Sequence, residues 1–291
     1  MLTREKLLVH CSDWHLASLA PPWRKLVGRR LIGYLRWRLL RGKKHGLAPL
    51  LAFCEEVRRL KPHQIIVTGD LTHLGLPEEF TLALSFLQRL GRPEQVSIAP
   101  GNHDSYAPED FSATYGKWGP YLEGKGPLTE RFPRVRILGR LALVGLSTAC
   151  PNVPPWAIGR LGLKQLERLA QTLASLRKRG FFRVLYLHHP PMEGVVSRRK
   201  ALKDALALQR VLVKEGAELV LYGHTHRVGR FELDTLWGRT PVFGVSSLTY
   251  LGSNPAKRAR FFLFRIDDQK GTLAFQSFGW DGASFRPETS F

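Results

Sequence analysis

QIIVTGD, residues 64–70, is a run of apolar, mostly β-branched residues closed by Gly-Asp. A buried strand reads this way: a short continuous apolar stretch without polar alternation, bounded by a turn signal. Four other stretches repeat the design. LLVHC at 7–11 runs into SDWH, VSIAPGNHD occupies 96–104, FRVLYLHHP 182–190 and AELVLYGHTH 217–226. Each ends in Asp, Asn or His, and an open α/β sheet collects its ligand sites at the carboxyl ends of its strands. The pattern therefore predicts one place where these side chains meet.

Between the strands lie LAPLLAFCEEVRRL at 47–60, PEEFTLALSFLQRL at 77–90, LKQLERLAQTLASLRKRG at 163–180 and KDALALQRVLVKEG at 203–216. Their apolar residues recur three or four apart, as in helices with one buried face, and two of the four close on Gly. Strand alternating with helix predicts an α/β fold. Further strands are expected at PVFGVSS (241–247), RFFLFRID (260–267) and GTLAFQSFGW (271–280), giving a β-rich carboxyl-terminal part. Pro and Gly are spread along the 291 residues rather than gathered into a linker, so a single domain over 1–291 is expected.

An apolar fraction of 44% excludes a generally disordered chain. Cys11, Cys54 and Cys150 form neither a close metal pair nor an even disulfide set, which suits a reducing compartment. The opening MLTREKLLVHCSD turns polar too soon for a secretory signal, and residues 141–146 are too short to span a bilayer, so a cytoplasmic protein is expected. Forty-four Lys and Arg against 24 Asp and Glu give a net charge of +20. That balance favours a polyanionic partner, whether nucleic acid, an anionic membrane surface or a phosphate-rich substrate. The bland alternative is a solubilising or thermally adapted surface, and no obligate protein partner is inferred.

Singly, a His at a strand end is more often structural, and a Gly-Asp pair is usually a turn. Five strand ends carrying hard oxygen or imidazole donors, with no usable Cys site, are a different matter. Asp13, His15, Asp70, Asn102, His188, His224 and His226 make a ligand set for two borderline divalent ions such as Mn, Fe, Zn or Ni. His188 and His189 compete for one of these roles. In DWH and GHTH the residues at i and i+2 of an extended segment share a side, so each pair is expected to address one metal cluster.

These blocks, DWH at 13–15, GD at 69–70, GNHD at 101–104, HHP at 188–190 and GHTH at 223–226, resemble in identity and order the calcineurin-like metallophosphoesterases. The resemblance covers about residues 7–230. It implies an αββα sandwich of two mixed sheets flanked by helices, and two divalent ions, manganese foremost. It puts Asp13, His15 and His226 on one ion and Asn102, His188 and His224 on the other, with Asp70 bridging. The first His of HHP matches the family's ligand position, which leaves His189 at the cavity wall. Two such ions about 4 Å apart lower the pKa of a shared water and take up charge on phosphoryl oxygens. His103 is the family's candidate for protonating the leaving oxygen, with Asp104 expected to hold its imidazole. In the alternative, both residues only buttress the metal loop.

From Trp14 to Cys54 there is no acidic residue, and WRKLVGRRLIGYLRWRLLRGKK at 23–44 contains nine Lys or Arg. This basic insertion, about residues 21–46, follows the DWH loop directly and should rise beside the metal site. At 100° per residue Trp23, Leu26, Val27, Leu31, Tyr34 and Trp37 share an arc, with Lys25, Arg29 and Arg36 opposite. Arg30 and Arg38 intrude on the apolar side, and Gly28 and Gly33 weaken a continuous helix. An interfacial helix or helix pair has this make-up, so Trp23, Leu26, Arg29, Arg36, Trp37 and Arg38 are the candidate membrane or substrate contacts; otherwise the arc packs on the domain. The Trp/Arg-rich arm together with the motifs also resembles, more weakly, the lipid A pathway hydrolases that cut the pyrophosphate of UDP-2,3-diacylglucosamine. That likeness implies an amphiphilic diphosphate substrate at the cytoplasmic face of the inner membrane. One departure is that some relatives with this task have Arg after the Asn of the third block, where this chain has His103.

Three other functions remain open. A cyclic nucleotide or general phosphodiesterase needs the same motifs and no acyl groove. A nuclease would use the positive charge, with aromatic residues stacking bases. A non-catalytic metal-bound scaffold would more commonly have lost part of the ligand set.

Overall fold

The computed structural model describes residues 5–18, 23–106, 110–122, 128–152 and 155–288. The first sheet contains β1 (Glu5–Cys11), β2 (Gln64–Val67) and β3 (Val96–Ile98), joined by the helices α2 (Leu47–Leu60) and α3 (Pro77–Leu90). A shorter helix, α1 (Arg29–Arg36), lies in the basic insertion, and the single-turn helices α4 (Gly119–Leu122) and α5 (Leu128–Arg131) lead out of this half. The second sheet follows with β4 (Arg134–Leu138), β5 (Leu141–Gly145), β6 (Phe182–Tyr186), β7 (Leu219–Tyr222), β8 (Gly229–Thr235) and β9 (Gly238–Gly244). Helices α6 (Leu163–Lys178) and α7 (Ala205–Glu215) connect its parallel strands. The chain then returns to the first sheet as β10 (Arg260–Asp267), β11 (Thr272–Trp280) and β12 (Phe285–Pro287).

Among the described residues the two sheets have the orders β12-β11-β10-β1-β2-β3 and β4-β5-β6-β7-β9-β8, six strands each. Both are mixed. β1, β2 and β3 are parallel, whereas β10 runs antiparallel to β1, in register from Glu5 opposite Asp267 to His10 opposite Phe262. The expected α/β class and two-sheet sandwich are those of the protein. Helices α2 and α3 begin and end where their apolar periodicity does. Strands β4, β5, β8 and β12 have no counterpart in the sequence reading; β4 and β8 lie at sheet edges with part of each strand exposed.

Three apolar layers follow from this arrangement. Leu8, Ile66, Val184, Leu221, Phe262 and Phe264 pack between the sheets. Val9, Phe53, Phe80, Ile98 and Phe261 join the outer face of the first sheet to α2 and α3. Leu169, Leu173, Leu185, Leu208 and Val220 do the same between the second sheet and α6 and α7. Alternate residues of β1 thus face two different cores, the period-two consequence of a strand covered on both sides.

The insertion departs from its expected form, and residues 21–22 at its start lie outside the described residues. It is not one amphipathic helix. A 3₁₀ turn at Trp23–Lys25 precedes Gly28, whose φ of 56° breaks the axis, and α1 passes into a π turn at Trp37–Arg41. A single 100° projection therefore mixes segments that share no axis. Arg30, expected on the apolar arc, is 6% exposed and donates Nε–H to the Leu74 carbonyl (3.1 Å) and Nη2–H to that of Gly75 (2.9 Å). Among the described side chains of the insertion, the exposed large apolar ones are Trp23, Val27, Leu31, Ile32, Leu35 and Leu39. Leu26 is half-buried, Arg36 and Arg38 are exposed, and of Arg29 only the backbone belongs to the described structure. Trp37 is half-buried and turned inward, its ring centroid 4.2 Å from that of His73.

The layer between the sheets should dominate stability. Phe262→Ala is expected to lower the unfolding free energy by about 3–5 kcal/mol, whereas Leu236→Ala, at a residue 74% exposed, should stay within about 0.5 kcal/mol of the parent. Urea unfolding followed by circular dichroism measures both.

Candidate metal centre

The carboxyl ends of β1, β2 and β3 from one sheet and of β6 and β7 from the other open onto the same rim. The loop after β1 is tied to the loop after β2, since Asp13 N–H donates to the Gly69 carbonyl (3.0 Å) and His15 N–H to that of Asp70 (2.9 Å). Among the described residues six non-glycines have left-handed φ, and five of them are Asp13, His15, Asp70, His224 and His226. Such backbone costs on the order of 1–3 kcal/mol per residue and persists where the surroundings over-determine it. This corrects the expectation of extended DWH and GHTH segments. Asp13 and His15, and likewise His224 and His226, stand on left-handed backbone, so strand alternation does not place their side chains.

Two clusters result. In the first, Asp13 Oδ1 lies 3.2 Å from His226 Nε2 and 3.6 Å from His15 Nε2, and the two imidazole nitrogens are 3.0 Å apart. In the second, His188 Nε2 lies 3.2 Å from Asn102 Oδ1, 3.2 Å from His224 Nδ1 and 3.3 Å from Asp70 Oδ2. The same Asp70 oxygen is 3.9 Å from His15 Nε2, so it stands between the clusters. All seven predicted ligands are brought to one site.

The surroundings fix which atoms face inward. His188 Nδ1–H donates to the Thr68 carbonyl (2.6 Å) and His224 Nε2–H to that of Lys200 (2.9 Å), which turns His188 Nε2 and His224 Nδ1 towards each other in the site. Asp13 Oδ2 accepts the His224 N–H (2.9 Å) and Asp70 Oδ1 the His103 N–H (2.7 Å), so each carboxylate keeps one oxygen for the interior. Asp13 Oδ1 is buried and accepts no hydrogen bond among the described residues. Buried anionic oxygen and convergent imidazole nitrogens call for cations, and the donor set fits a dinuclear divalent metal centre.

His189 does not compete with His188. Its Nδ1 meets Thr148 Oγ1 (2.8 Å) and its Nε2 the Ala157 carbonyl (3.3 Å), and burial lowers its pKa to about 3. Asp104 also departs from its expected task. Its Oδ1 accepts from the N–H (2.9 Å) and Oγ1–H (3.0 Å) of Thr72, and its Oδ2 from Gly101 N–H (2.9 Å). The His103 imidazole is held instead by the His73 carbonyl, which accepts Nδ1–H at 2.6 Å. Asp104 therefore stitches two metal-bearing loops together, because its carboxylate is spent on backbone donors.

Sequence reading missed several residues at the site. His73 stacks 5.3 Å from His103, and the ring of His45 lies 5.8 Å from that of His15. Arg36 and Trp37, both anticipated as substrate contacts, line the cleft with Asp70, Asn102 and His103, and so do the unanticipated Ile32, Gly33, Asn152, Trp156, Arg199 and Lys200. The signals were present as His73, three residues after the GD block, and SRRK after HHP, yet neither has a spacing that marks a site.

Burial would raise the Asp13 carboxyl, but the His226 and His15 imidazoles outweigh it and hold it well below the usual range. Burial lowers His15 to about 4. It would lower His188 too, yet the adjacent Asp70 carboxylate overcomes it and raises the imidazole to about 9. Below that pH the metal-free site balances its carboxylates with the His188 proton, and a cation must displace that proton to reach Nε2. Metal affinity should therefore rise with pH up to about 9 and level off above it, with roughly one proton released from this imidazole per loading at pH 7. Calorimetry in buffers of different ionisation enthalpy counts the protons, and affinity independent of pH between 6.5 and 8.5 would contradict the arrangement.

A family model described as calcineurin-like phosphoesterase matches residues 7–228. A protein of Rhodococcus erythropolis described as a probable cyclic nucleotide phosphodiesterase is 27% identical over 194 residues, covering 65% of this chain and 58% of that protein. A probable glycerophosphodiester phosphodiesterase of Arcobacter nitrofigilis is 26% identical over 193 residues, covering 64% and 63%. The chain thus spans about three-fifths of the length of these curated relatives. Among solved structures, a dimetal phosphatase from Danio rerio has a TM-score of 0.58 at 14% identity, covering 90% of this chain and 92% of that one. The purple acid phosphatase of yellow lupin, Lupinus luteus, has a TM-score of 0.58 at 13% identity, covering 97% of this chain and 53% of that one. At these identities the likeness concerns the fold alone. The matched segment carries all five ligand-bearing loops, and the chain belongs to the calcineurin-like phosphoesterase family.

Proposed function

We propose that the protein is a metal-dependent phosphodiesterase acting on small anionic substrates, with His103 serving the leaving oxygen. The observation that carries this reading is the position of His103 in the cleft with Asp70 and Asn102, its ring oriented by the Nδ1–H bond to the His73 carbonyl. The seven ligand residues would hold two divalent cations, manganese in our reading, which would supply Lewis acidity and an acidified water. The chain's own groups do the rest. Arg36, Arg199 and Lys200 attract the anion into the cleft. Asp70 Oδ1 holds the His103 backbone, and the His73 carbonyl sets the tautomer in which Nε2 exchanges a proton with the departing oxygen. Relatives described as cyclic nucleotide and glycerophosphodiester phosphodiesterases support the reaction class.

His103→Ala should keep both ions, measured by elemental analysis, while turnover of an alkyl phosphodiester falls by about 10²–10⁴. The loss should shrink on a bis-nitrophenyl diester, whose leaving group needs little protonation. Equal losses would assign His103 a supporting role only. A panel of cyclic AMP, glycerophosphocholine, UDP-diacylglucosamine and single-stranded DNA, scored by product identity, separates the substrate classes.

A second reading, an amphiphilic diphosphate such as UDP-2,3-diacylglucosamine taken from an anionic membrane, is favoured by one observation. Trp23, Val27, Leu31, Ile32, Leu35 and Leu39 are exposed on an arm that also lines the cleft through Gly33, Arg36 and Trp37, and the arm lacks acidic residues. No helix among the described residues is long and apolar enough to cross a membrane, so such contact would be peripheral, at the cytoplasmic face of the inner membrane in this reading. Each basic side chain near an anionic surface contributes about 1 kcal/mol. Changing Arg24, Arg38 and Lys44 to Glu should abolish flotation with anionic vesicles at low salt, and changing Trp23, Leu35 and Leu39 to Ser should weaken it even at high salt, because screening leaves the apolar contribution intact. Vesicle binding unchanged in both variants would reject the membrane partner.

A further inference from the structure

The loop between β2 and α3 is gripped from two sides by residues outside the metal centre. On one side the Glu79 carboxylate, 1% exposed, accepts the N–H groups of His73 (3.2 Å), Leu74 (2.7 Å) and Leu76 (3.2 Å) through Oε2, and that of Ser18 (3.3 Å) through Oε1. On the other, the Arg30 guanidinium of α1 holds the Leu74 and Gly75 carbonyls. A buried carboxylate accepting four backbone donors and a buried guanidinium donating to consecutive carbonyls are charge-assisted bonds in a low-dielectric setting, the strong kind. The arm lies against this loop: a Cβ on Gly33 would stand 2.8 Å from Leu74 Cδ2, closer than a carbon tolerates. The first peptide of the gripped loop carries the carbonyl that binds His103 Nδ1–H at 2.6 Å.

We infer that Arg30 and Glu79 are positioning residues for His103, and that through Arg30 the placement of the arm over the cleft sets the aim of that imidazole. The arm thereby does two things at once: it walls the cleft with Ile32, Arg36 and Trp37, and it steadies the carbonyl that fixes the His103 tautomer. Neither residue touches the ligand set, and their effect on turnover passes through one hydrogen bond. An arm displaced from the cleft would leave the Leu74 and Gly75 carbonyls without the guanidinium and the His73 carbonyl free to drift. The inference rests on the proposed role of His103 at the leaving oxygen.

The test uses the full chain with Arg30→Met, Arg30→Lys and Glu79→Gln, alone and combined with His103→Ala. Arg30→Met and Glu79→Gln should bind two manganese ions and lower kcat on an alkyl phosphodiester by about ten- to a hundredfold, a part of the 10²–10⁴ contributed by an acid. KM and turnover of the bis-nitrophenyl diester should change by less than about threefold, and in the His103→Ala background neither substitution should lower kcat further. Arg30→Lys, which retains one donor, should fall between parent and Arg30→Met, so the comparison survives if Arg30→Met does not fold. An independent reading comes from the ring N–H proton of His103 in nuclear magnetic resonance spectra, assigned by its loss in His103→Ala. It should be far downfield and slow to exchange in the parent, and shifted upfield or fast-exchanging in the clamp variants. Losses that are equal on both substrates, that add to those of His103→Ala, or that leave the N–H signal unmoved overturn the clamp. If His103→Ala itself shows no leaving-group dependence, the role of His103 fails, and the N–H signal alone still decides whether Arg30 and Glu79 position the ring.

Discussion

A single carboxylate joins the two halves of the site. Asp70 follows β2 in one sheet, while His188 and His224 follow β6 and β7 in the other, and its Oδ2 lies within 4 Å of nitrogen from both clusters. Buried to 1% exposure, it is a charge that the interior tolerates only with compensation. Imidazoles compensate it in part, as the raised pKa of His188 records, and cations would do so fully. Much of the surrounding geometry serves to keep this group in place: His103 N–H on its other oxygen, and the Asp70 carbonyl accepting from His15.

The sandwich supplies what that arrangement needs, which is rigidity at loop ends. Left-handed backbone at Asp13, His15, Asp70, His224 and His226 would relax in an isolated loop. Here every one of these turns departs within a few residues of a strand buried on both faces, and the strain is balanced by three apolar layers. Hydrogen bonds from loop to loop, such as Asp104 to Thr72 and Gly101, turn five separate strand ends into one unit.

Outside this unit the protein changes character. The metal loops are buried and nearly closed, whereas the arm at 23–44 exposes several large apolar side chains amid basic ones. One buried Arg separates these regimes. Arg30 converts an otherwise surface-seeking helix into a part of the cleft wall, because a guanidinium with two carbonyl partners is far more stable in the interior than one without.

The fold class, the ligand set and the helices α2 and α3 were legible in the sequence because each depends on local rules: continuous apolar runs for buried strands, three-four spacing for helices, donor residues at strand ends. Resemblance of the ordered motifs assigned Asp13, His15 and His226 to one cluster and Asn102, His188 and His224 to the other, and the structure groups them that way. The resemblance also set His188 in the site and His189 at the wall, and hydrogen bonds with Thr68, Thr148 and Ala157 hold the two rings so. Tertiary structure alone decided the rest. Asp104 left His103 because backbone donors from Gly101 and Thr72, distant in sequence from each other, reached it first. The helical projection of the arm failed at Gly28, where a positive φ changes the axis without altering the apolar spacing. What a residue's chemistry and periodicity can express, the sequence states; which partner claims each polar atom depends on chain segments brought together only when the sheets close.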